Sequence, residues 1–240
     1  MAIASLTSRI TGFGVKIALV TVVIAGVVSD SYTVSNTLPV IVFELLIGGV
    51  LSSVMVPLLV RAQTEDDDGG DGFTRRLLTV TTLALLVATA LATLTSPLLT
   101  RLYLGSDAAS KADPQLATLL AYLLMPQVFF YGIGALFGAM LNSRGRFAAF
   151  AWAPVLNNLV TLAALALYAV LPGDITLNPA RMSDPKLLVL GLGTTLGIVV
   201  QAGSLLPAVY RAGFSLRPLL GWDRRLAQAG GLAAMRVVTM

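Results

Sequence analysis

The chain has 240 residues, of which 56% are hydrophobic and only 12% are charged, and its mean hydropathy is +0.85. So little charge cannot cover the surface of a water-soluble protein of this size, which leaves lipid as the solvent for most of the chain. Cysteine and histidine are both absent, which excludes disulfides, thiolate nucleophiles, Ser-His-Asp catalysis and the usual zinc sites. The net charge of +4 comes from bases scattered between apolar runs, a pattern that does not indicate nucleic-acid binding.

Six apolar runs are long enough to cross a bilayer as helices, which takes about 20 residues each. They predict an all-α polytopic membrane protein with spans at residues 10–28, 33–60, 77–99, 116–141, 148–171 and 187–210. An alternative takes the first run as a cleaved signal peptide, but the small residues that follow it make a poor cleavage site. We expect a six-helix transmembrane lobe over residues 1–213. Residues 214–240 would form a cytoplasmic connection and the start of a seventh helix.

The basic residues predict an orientation for these spans. Ten Lys and Arg residues lie before the first span and after the second, fourth and sixth, whereas the other gaps hold four. Because positively charged loops stay in the cytoplasm, the N-terminus is predicted on the cytoplasmic side. The connection at residues 61–76 (RAQTEDDDGGDGFTRR) is acidic and rich in glycine, which predicts a flexible loop on that side.

Charged residues inside or beside a span are candidate functional residues because they are costly to bury in lipid. Arg9 and Lys16 are seven residues apart, so a helix brings them to nearly the same face, where they would attract a phosphate or diphosphate. The alternative is that both side chains extend to lipid phosphates. Glu44 lies in the middle of the second span. It would be either a proton or cation site or an ion-pair partner of Lys16. Asp30 would cap the second helix or contact substrate.

Uncharged polar and small residues within spans predict helix packing. Asn157 and Asn158 lie in the fifth span, so at least one should hydrogen-bond across helices or into a cavity, and either is a candidate substrate contact. Glycine and serine recur at a spacing of about four, which is typical of close helix contacts in lipid. The residues concerned are Gly48, Gly49, Ser52, Ser53, Gly134, Gly138, Gly193 and Gly197.

Several collinear segments together resemble the MviN/MurJ family of lipid II flippases, within the wider group of MATE-like transporters, and its actinobacterial branch in particular. The segments with the clearest likeness are SRITGFG at residues 8–14, SDSYTVSNTLP at 29–39, VMVPLLVRAQ at 54–63, LLMPQVFFYGIGALFGAMLNSRGRF at 123–147 and AFAWAPVLNNLV at 149–160. Arg9 falls on the family's first-helix arginine and Asp30 on the acidic residue that opens its second helix. Val15, Phe43, Glu44 and Gly48 stand where the family has arginines and a glutamate.

The resemblance implies the N-terminal lobe of a flippase in the bacterial cytoplasmic membrane, for cell wall biogenesis. Its substrate would be lipid II, an undecaprenyl-diphosphate-linked peptidoglycan precursor, moved by alternating access without a cofactor, metal or catalytic residue. Membrane lipids and cell-wall synthesis or division proteins would be its other partners. We expect either a fragment of a longer protein or a one-lobe paralogue.

Other functions stay open at this stage. They are a flippase for another lipid-linked saccharide, a multidrug exporter, and a membrane scaffold for cell-wall proteins that transports nothing. The sequence contains no carboxylate pair, histidine cluster or activated nucleophile that would indicate an enzyme.

Overall fold

The computed structural model describes residues 2–23, 26–47, 55–106, 111–175, 177, 180–221 and 225. These residues form helices joined by short turns, and no strand occurs among them, as predicted for an all-α membrane protein. The helices are α1 (Ala2–Val22), α2 (Val27–Ile47), α3 (Val56–Glu65), α4 (Asp71–Leu94), α5 (Ser96–Ser106), α6 (Pro114–Leu124), α7 (Gln127–Ser143), α8 (Ala148–Val170), α9 (Pro185–Gly203) and α10 (Leu206–Arg211).

Five helical stretches within the described residues are long and apolar enough to cross a membrane. They are Ala2–Val22, Asp71–Leu94, Pro114–Ser143, Ala148–Val170 and Pro185–Arg211. The predicted span at 33–60 includes residues 48–54, which lie outside the described residues, as do Gly48, Gly49, Ser52 and Ser53 of the predicted small-residue face. The sixth crossing therefore stays a prediction.

Two helix starts follow directly from the sequence. Asp113 precedes Pro114, and its carboxylate accepts a hydrogen bond from the N–H of Leu116 at 2.7 Å. Asp184 precedes Pro185 in the same way and accepts from the N–H of Lys186 at 2.9 Å. An aspartate followed by proline begins a helix well, because the carboxylate satisfies a free amide and proline has no N–H to satisfy.

The bundle is a succession of helix pairs. Helix α1 packs on α8, α8 on α9, and α9 on α6 and α7, while α2 packs on α5, α6 and α7. The outward faces carry large apolar side chains, for example Val87 and Leu94 on α4, which are 60% and 75% exposed. In a polytopic membrane protein these faces contact lipid.

Two apolar clusters hold the ends of the bundle. One joins α3, α4, α7 and α10 around Leu59, Phe73 and Met140. The other joins the ends of α1 and α2 to α6, α8 and α9 around Tyr32, Leu120 and Leu190. Helix α1 packs partly buried side chains such as Val15 and Leu19 against the second cluster, and Ala4 is its only buried side chain.

Small residues mark the places where helices approach most closely. A Cβ added at Gly193 would collide with the Cβ of Ala164 on α8, and one at Gly197 would collide with Oδ1 of Asn157. A Cβ at Gly138 would lie 2.6 Å from the ring of Phe150. The prediction that these glycines serve helix packing is confirmed for these three.

The acidic connection between α3 and α4 is a compact turn, so the predicted flexible loop is wrong. The carboxylate of Asp68 accepts hydrogen bonds from the N–H groups of Gly70 and Gly72, at 2.9 and 2.8 Å. Gly70 has a φ of 79°, and a Cβ there would lie 2.9 Å from the carbonyl carbon of Ala62. Only glycine fits this position, because both the backbone angle and the space exclude a side chain.

Candidate functional site

Arg9 and Lys16 lie on the same open face of α1. Both residues are exposed, and a spacing of seven places them within about 20° of each other around the helix and about 10 Å apart along it. The helix begins at Ala2, so Arg9 lies inside it and not ahead of it as the predicted span implied. Phe13, between the two bases, is 64% exposed. The open face is therefore cationic and apolar at once.

Asn158 contacts another side of α1, about 100° around the helix from the two bases. Its Nδ2 donates hydrogen bonds to the carbonyl oxygen of Ser8 at 3.0 Å and to Oγ1 of Thr11 at 2.9 Å. The predicted hydrogen bond across helices is thus confirmed, and it joins α8 to α1. A Cβ at Gly12 would lie 3.4 Å from the same nitrogen, so the two helices are in close contact here.

Asn157 points towards α9 and not towards α1. Its Oδ1 is buried against Gly197 and has no hydrogen-bond partner among the described residues. Both asparagines therefore face neighbouring helices, but only Asn158 hydrogen-bonds to one through its side chain among the described residues. Their role as substrate contacts stays a prediction.

Glu44 lies on an exposed face of α2 and is not paired with Lys16. Thr33, Val40 and Glu44 are all exposed, and their spacing places them on one side of the helix. The predicted ion pair between Lys16 and Glu44 is wrong, because within the described residues neither side chain joins a salt bridge. The physical reason is that α1 packs on α8 whereas α2 packs on α5, α6 and α7.

Asp30 lies in the first turn of α2, so its predicted role as the N-cap is wrong. The helix begins at Val27, and the N–H of Asp30 already donates to the carbonyl of Gly26 at 2.9 Å. A carboxylate in the first turn still interacts favourably with the helix dipole. Asp30 is partly exposed and remains a candidate for substrate contact at this end of the bundle.

A set of buried hydrogen bonds between α9 and its neighbours was not predicted from the sequence. Oη of Tyr32 and Oγ1 of Thr194 are 2.9 Å apart; Thr194 donates to the carbonyl of Leu190, so Tyr32 acts as the donor. Nearby, Nε2 of Gln127 donates to Oγ1 of Thr195 at 3.1 Å. The sequence did contain a signal for these hydrogen bonds, namely polar residues within apolar runs. In lipid, such polar side chains hydrogen-bond to other helices.

A groove between α4, α7 and α9 is apolar and does not suit a diphosphate. It encloses about 540 Å³. Among its lining residues are Leu83, Phe129, Phe130, Ile133, Val199 and Leu206. The predicted site for an anion is therefore the open face of α1 and not this groove.

The residues that follow α10 run back along α4. The carbonyl of Arg217 accepts a hydrogen bond from Nε of Arg75 at 3.0 Å, and the N–H of Leu219 donates to Oγ1 of Thr79 at 2.9 Å. Phe214 is buried in the cluster with Phe73. This segment is therefore held against the N-terminal half of α4.

The sequence was compared with those of known protein families. The sequence model described as "Lipid II flippase MurJ" matches residues 19–240, most of the chain. The chain belongs to the MurJ family. The resemblance seen in the sequence motifs is thereby confirmed.

Individual relatives agree with this assignment. A protein of Vibrio cholerae named "Probable lipid II flippase MurJ" is 32% identical over 232 residues, which is 91% of this chain and 41% of that protein. Relatives of the same name from Rhizobium tropici and Haemophilus influenzae are 29% and 27% identical, covering 89% and 91% of this chain. The chain spans about two fifths of the length of these curated relatives.

Proposed function

We propose that this MurJ-family chain forms one lobe of a lipid II flippase and that the open face of α1 attracts the diphosphate of the substrate. Arg9 and Lys16, exposed on one side of a single helix, are the observation that carries the proposal. Two cations about 10 Å apart suit an extended, multiply charged head group. Exposed apolar residues between them, such as Phe13, suit the lipid part of the molecule.

The lobe would act by alternating access in the bacterial cytoplasmic membrane, with residues 1–213 as one wall of the transport path. Residues 214–240 would lead towards a seventh helix. Asp30 and Glu44, both at least partly exposed on α2, would adjust charge along the path. The work is non-covalent, so the transporter class and not an enzyme class fits these residues.

The test is charge reversal on the open face. Arg9→Glu with Lys16→Glu, made in the complete reading frame, should abolish growth of cells depleted of their own flippase. Arg9→Lys with Lys16→Arg should support growth, because the charge is kept. Arg146→Glu, an exposed residue between α7 and α8, is the matched control and should also support growth. Full rescue of growth by the double charge reversal would contradict the proposal.

The same variants separate the competing functions. A membrane scaffold for cell-wall or division proteins predicts the reverse pattern, in which Arg146→Glu fails and the α1 variants grow. A flippase for another lipid-linked saccharide, or a drug exporter, predicts transport of that compound and not of lipid II in proteoliposomes.

We also propose a cytoplasmic N-terminus, supported by the excess of basic residues in alternate connections. The chain has no cysteine, so a single reporter is unambiguous. A cysteine at Asp67 should react with an impermeant maleimide only in broken cells, and one at Lys111 in intact spheroplasts. The opposite pattern would overturn this orientation.

A further inference from the structure

Helix α1 packs along α8 but buries few side chains fully. Of its 21 residues, only Ala4 is buried, whereas nine residues of the shorter helix α7 are buried. Apolar contacts are not directional, so they fix the distance between two helices better than the rotation of either helix. The rotation of α1 about its own axis therefore depends on directional contacts.

Asn158 supplies those directional contacts. Among the described residues, the side-chain hydrogen bonds that link α1 to another helix both come from its Nδ2, to the Ser8 carbonyl and the Thr11 hydroxyl. The hydroxyl of Thr11 also donates to the carbonyl of Thr7 at 2.9 Å, so it is oriented to accept. Two acceptors one turn apart, bound by one amide, define an angle and not only a distance.

That angle determines where the cations point. Ser8, Thr11 and Gly12 face α8, and Arg9 and Lys16 lie on average about 100° around the helix from the centre of this contact. A rotation of α1 by a quarter turn in one direction would bring both bases against α8, and in the other would carry them to the side opposite α8. The side of the bundle that the bases face is thus set by the contact with Asn158.

We propose that Asn158 is a positioning residue that fixes the rotation of α1 and so presents Arg9 and Lys16 on the open face. This inference rests on the proposed function for the role of the two cations. The rotation itself is independent of any substrate and is measured separately.

The experiment uses single cysteines in this chain, whose 240 residues contain no other cysteine. One reporter replaces Phe13, which is 64% exposed, and the other replaces Val15, which is packed towards the bundle. The ratio of their maleimide labelling rates in membranes measures the rotation of α1. Asn158→Ala should lower the Phe13 to Val15 ratio by about threefold, the population change that one interhelical hydrogen bond in a membrane supports.

Asn157→Ala is the matched control, because its amide oxygen faces Gly197 on α9 and not α1. It should leave the labelling ratio unchanged. If Asn158→Ala fails to accumulate, Thr11→Val removes one acceptor and keeps the side-chain shape, whereas Thr11→Ser keeps the hydroxyl. The valine variant should lower the ratio and the serine variant should not.

Equal ratios in Asn158→Ala and Asn157→Ala, or in the two Thr11 variants, would overturn the positioning role. A lowered ratio supports it. If the ratio falls as expected but charge reversal at Arg9 and Lys16 leaves growth intact, Asn158 still positions α1 and it is the proposed function that fails.

Discussion

Asp66 and Arg225 form a bidentate ion pair, in which Nη1 and Nη2 of the guanidinium each donate to one carboxylate oxygen at 2.9 Å. The guanidinium also lies 4.6 Å from the centre of the Phe73 ring. The pair connects the turn before α4 to a residue 159 positions later in the chain. It therefore holds Arg225 beside the turn between α3 and α4.

Breaking this pair should destabilise the folded protein measurably. The two side chains are only about a quarter exposed, and bidentate pairing is the stronger geometry, so we expect Asp66→Asn and Arg225→Gln to show a coupling energy of about 0.5 to 1 kcal/mol. The measurement is a double-mutant cycle on reversible unfolding in mixed micelles. Strictly additive effects would contradict the prediction.

The pair of Arg61 and Glu65 provides the comparison. Its atoms are 2.8 Å apart, but the side chains are 65% and 53% exposed and lie one helical turn apart. Solvent screens such a pair, so Glu65→Gln should change the free energy of unfolding by less than about 0.5 kcal/mol.

A second prediction concerns the pH dependence of the turn before α4. Hydrogen bonds from the N–H groups of Gly72 and Gly70 lower the pKa of Asp68 below its ordinary value of 3.8. Since the folded pKa is the lower one, the stabilisation is present above pH 3.8 and is lost as the pH falls through the folded pKa. Asp68→Ala should thus be less stable than the parent chain at pH 6, and the difference should shrink below pH 3.8.

Asp67→Ala serves as the control for this experiment, because the Asp67 side chain makes no hydrogen bond within the described part of the turn. Unfolding midpoints of the three proteins between pH 6 and pH 3 provide the measurement. A constant difference between the parent chain and Asp68→Ala over this range would show that the hydrogen bonds do not depend on ionisation.

The helical repeat correctly predicted which residues share a face of a single helix. The spacing of Arg9 and Lys16 placed them on one face, and the exposure of both residues agrees with that. The start of α2 was less predictable, because a helix boundary depends on local backbone geometry, and so Asp30 was misplaced as a cap. A residue pattern within one helix does not indicate which other helices will pack against it.

For that reason, contacts between helices that are distant in the sequence could not be predicted. The proposed pair of Lys16 and Glu44 assumed that consecutive spans pack together, whereas α1 instead packs on α8. Asn158 was predicted to hydrogen-bond across helices, but not to Ser8, 150 residues earlier in the chain. The acceptor could not be chosen without knowing which helices are adjacent.

The contact between α8 and α9 gives the third prediction. A Cβ at Gly193 would collide with the Cβ of Ala164, an atom with no rotamer to move out of the way. Gly193→Ala must therefore push the helices apart, and we expect it to lower the free energy of unfolding by about 1 to 3 kcal/mol. Gly203→Ala lies at the end of the same helix with open space around it, so it should be neutral or slightly stabilising.

A compensating exchange distinguishes this contact from a general intolerance of alanine. Ala164→Gly combined with Gly193→Ala moves the methyl group from one helix to the other and leaves the total volume at the contact unchanged. The double variant should regain most of the stability that Gly193→Ala loses, although a glycine within α8 costs about 0.5 to 1 kcal/mol in backbone entropy. Unfolding in mixed micelles gives the three free energies. A double variant no more stable than Gly193→Ala would mean that the two Cβ positions do not limit the approach of α8 and α9.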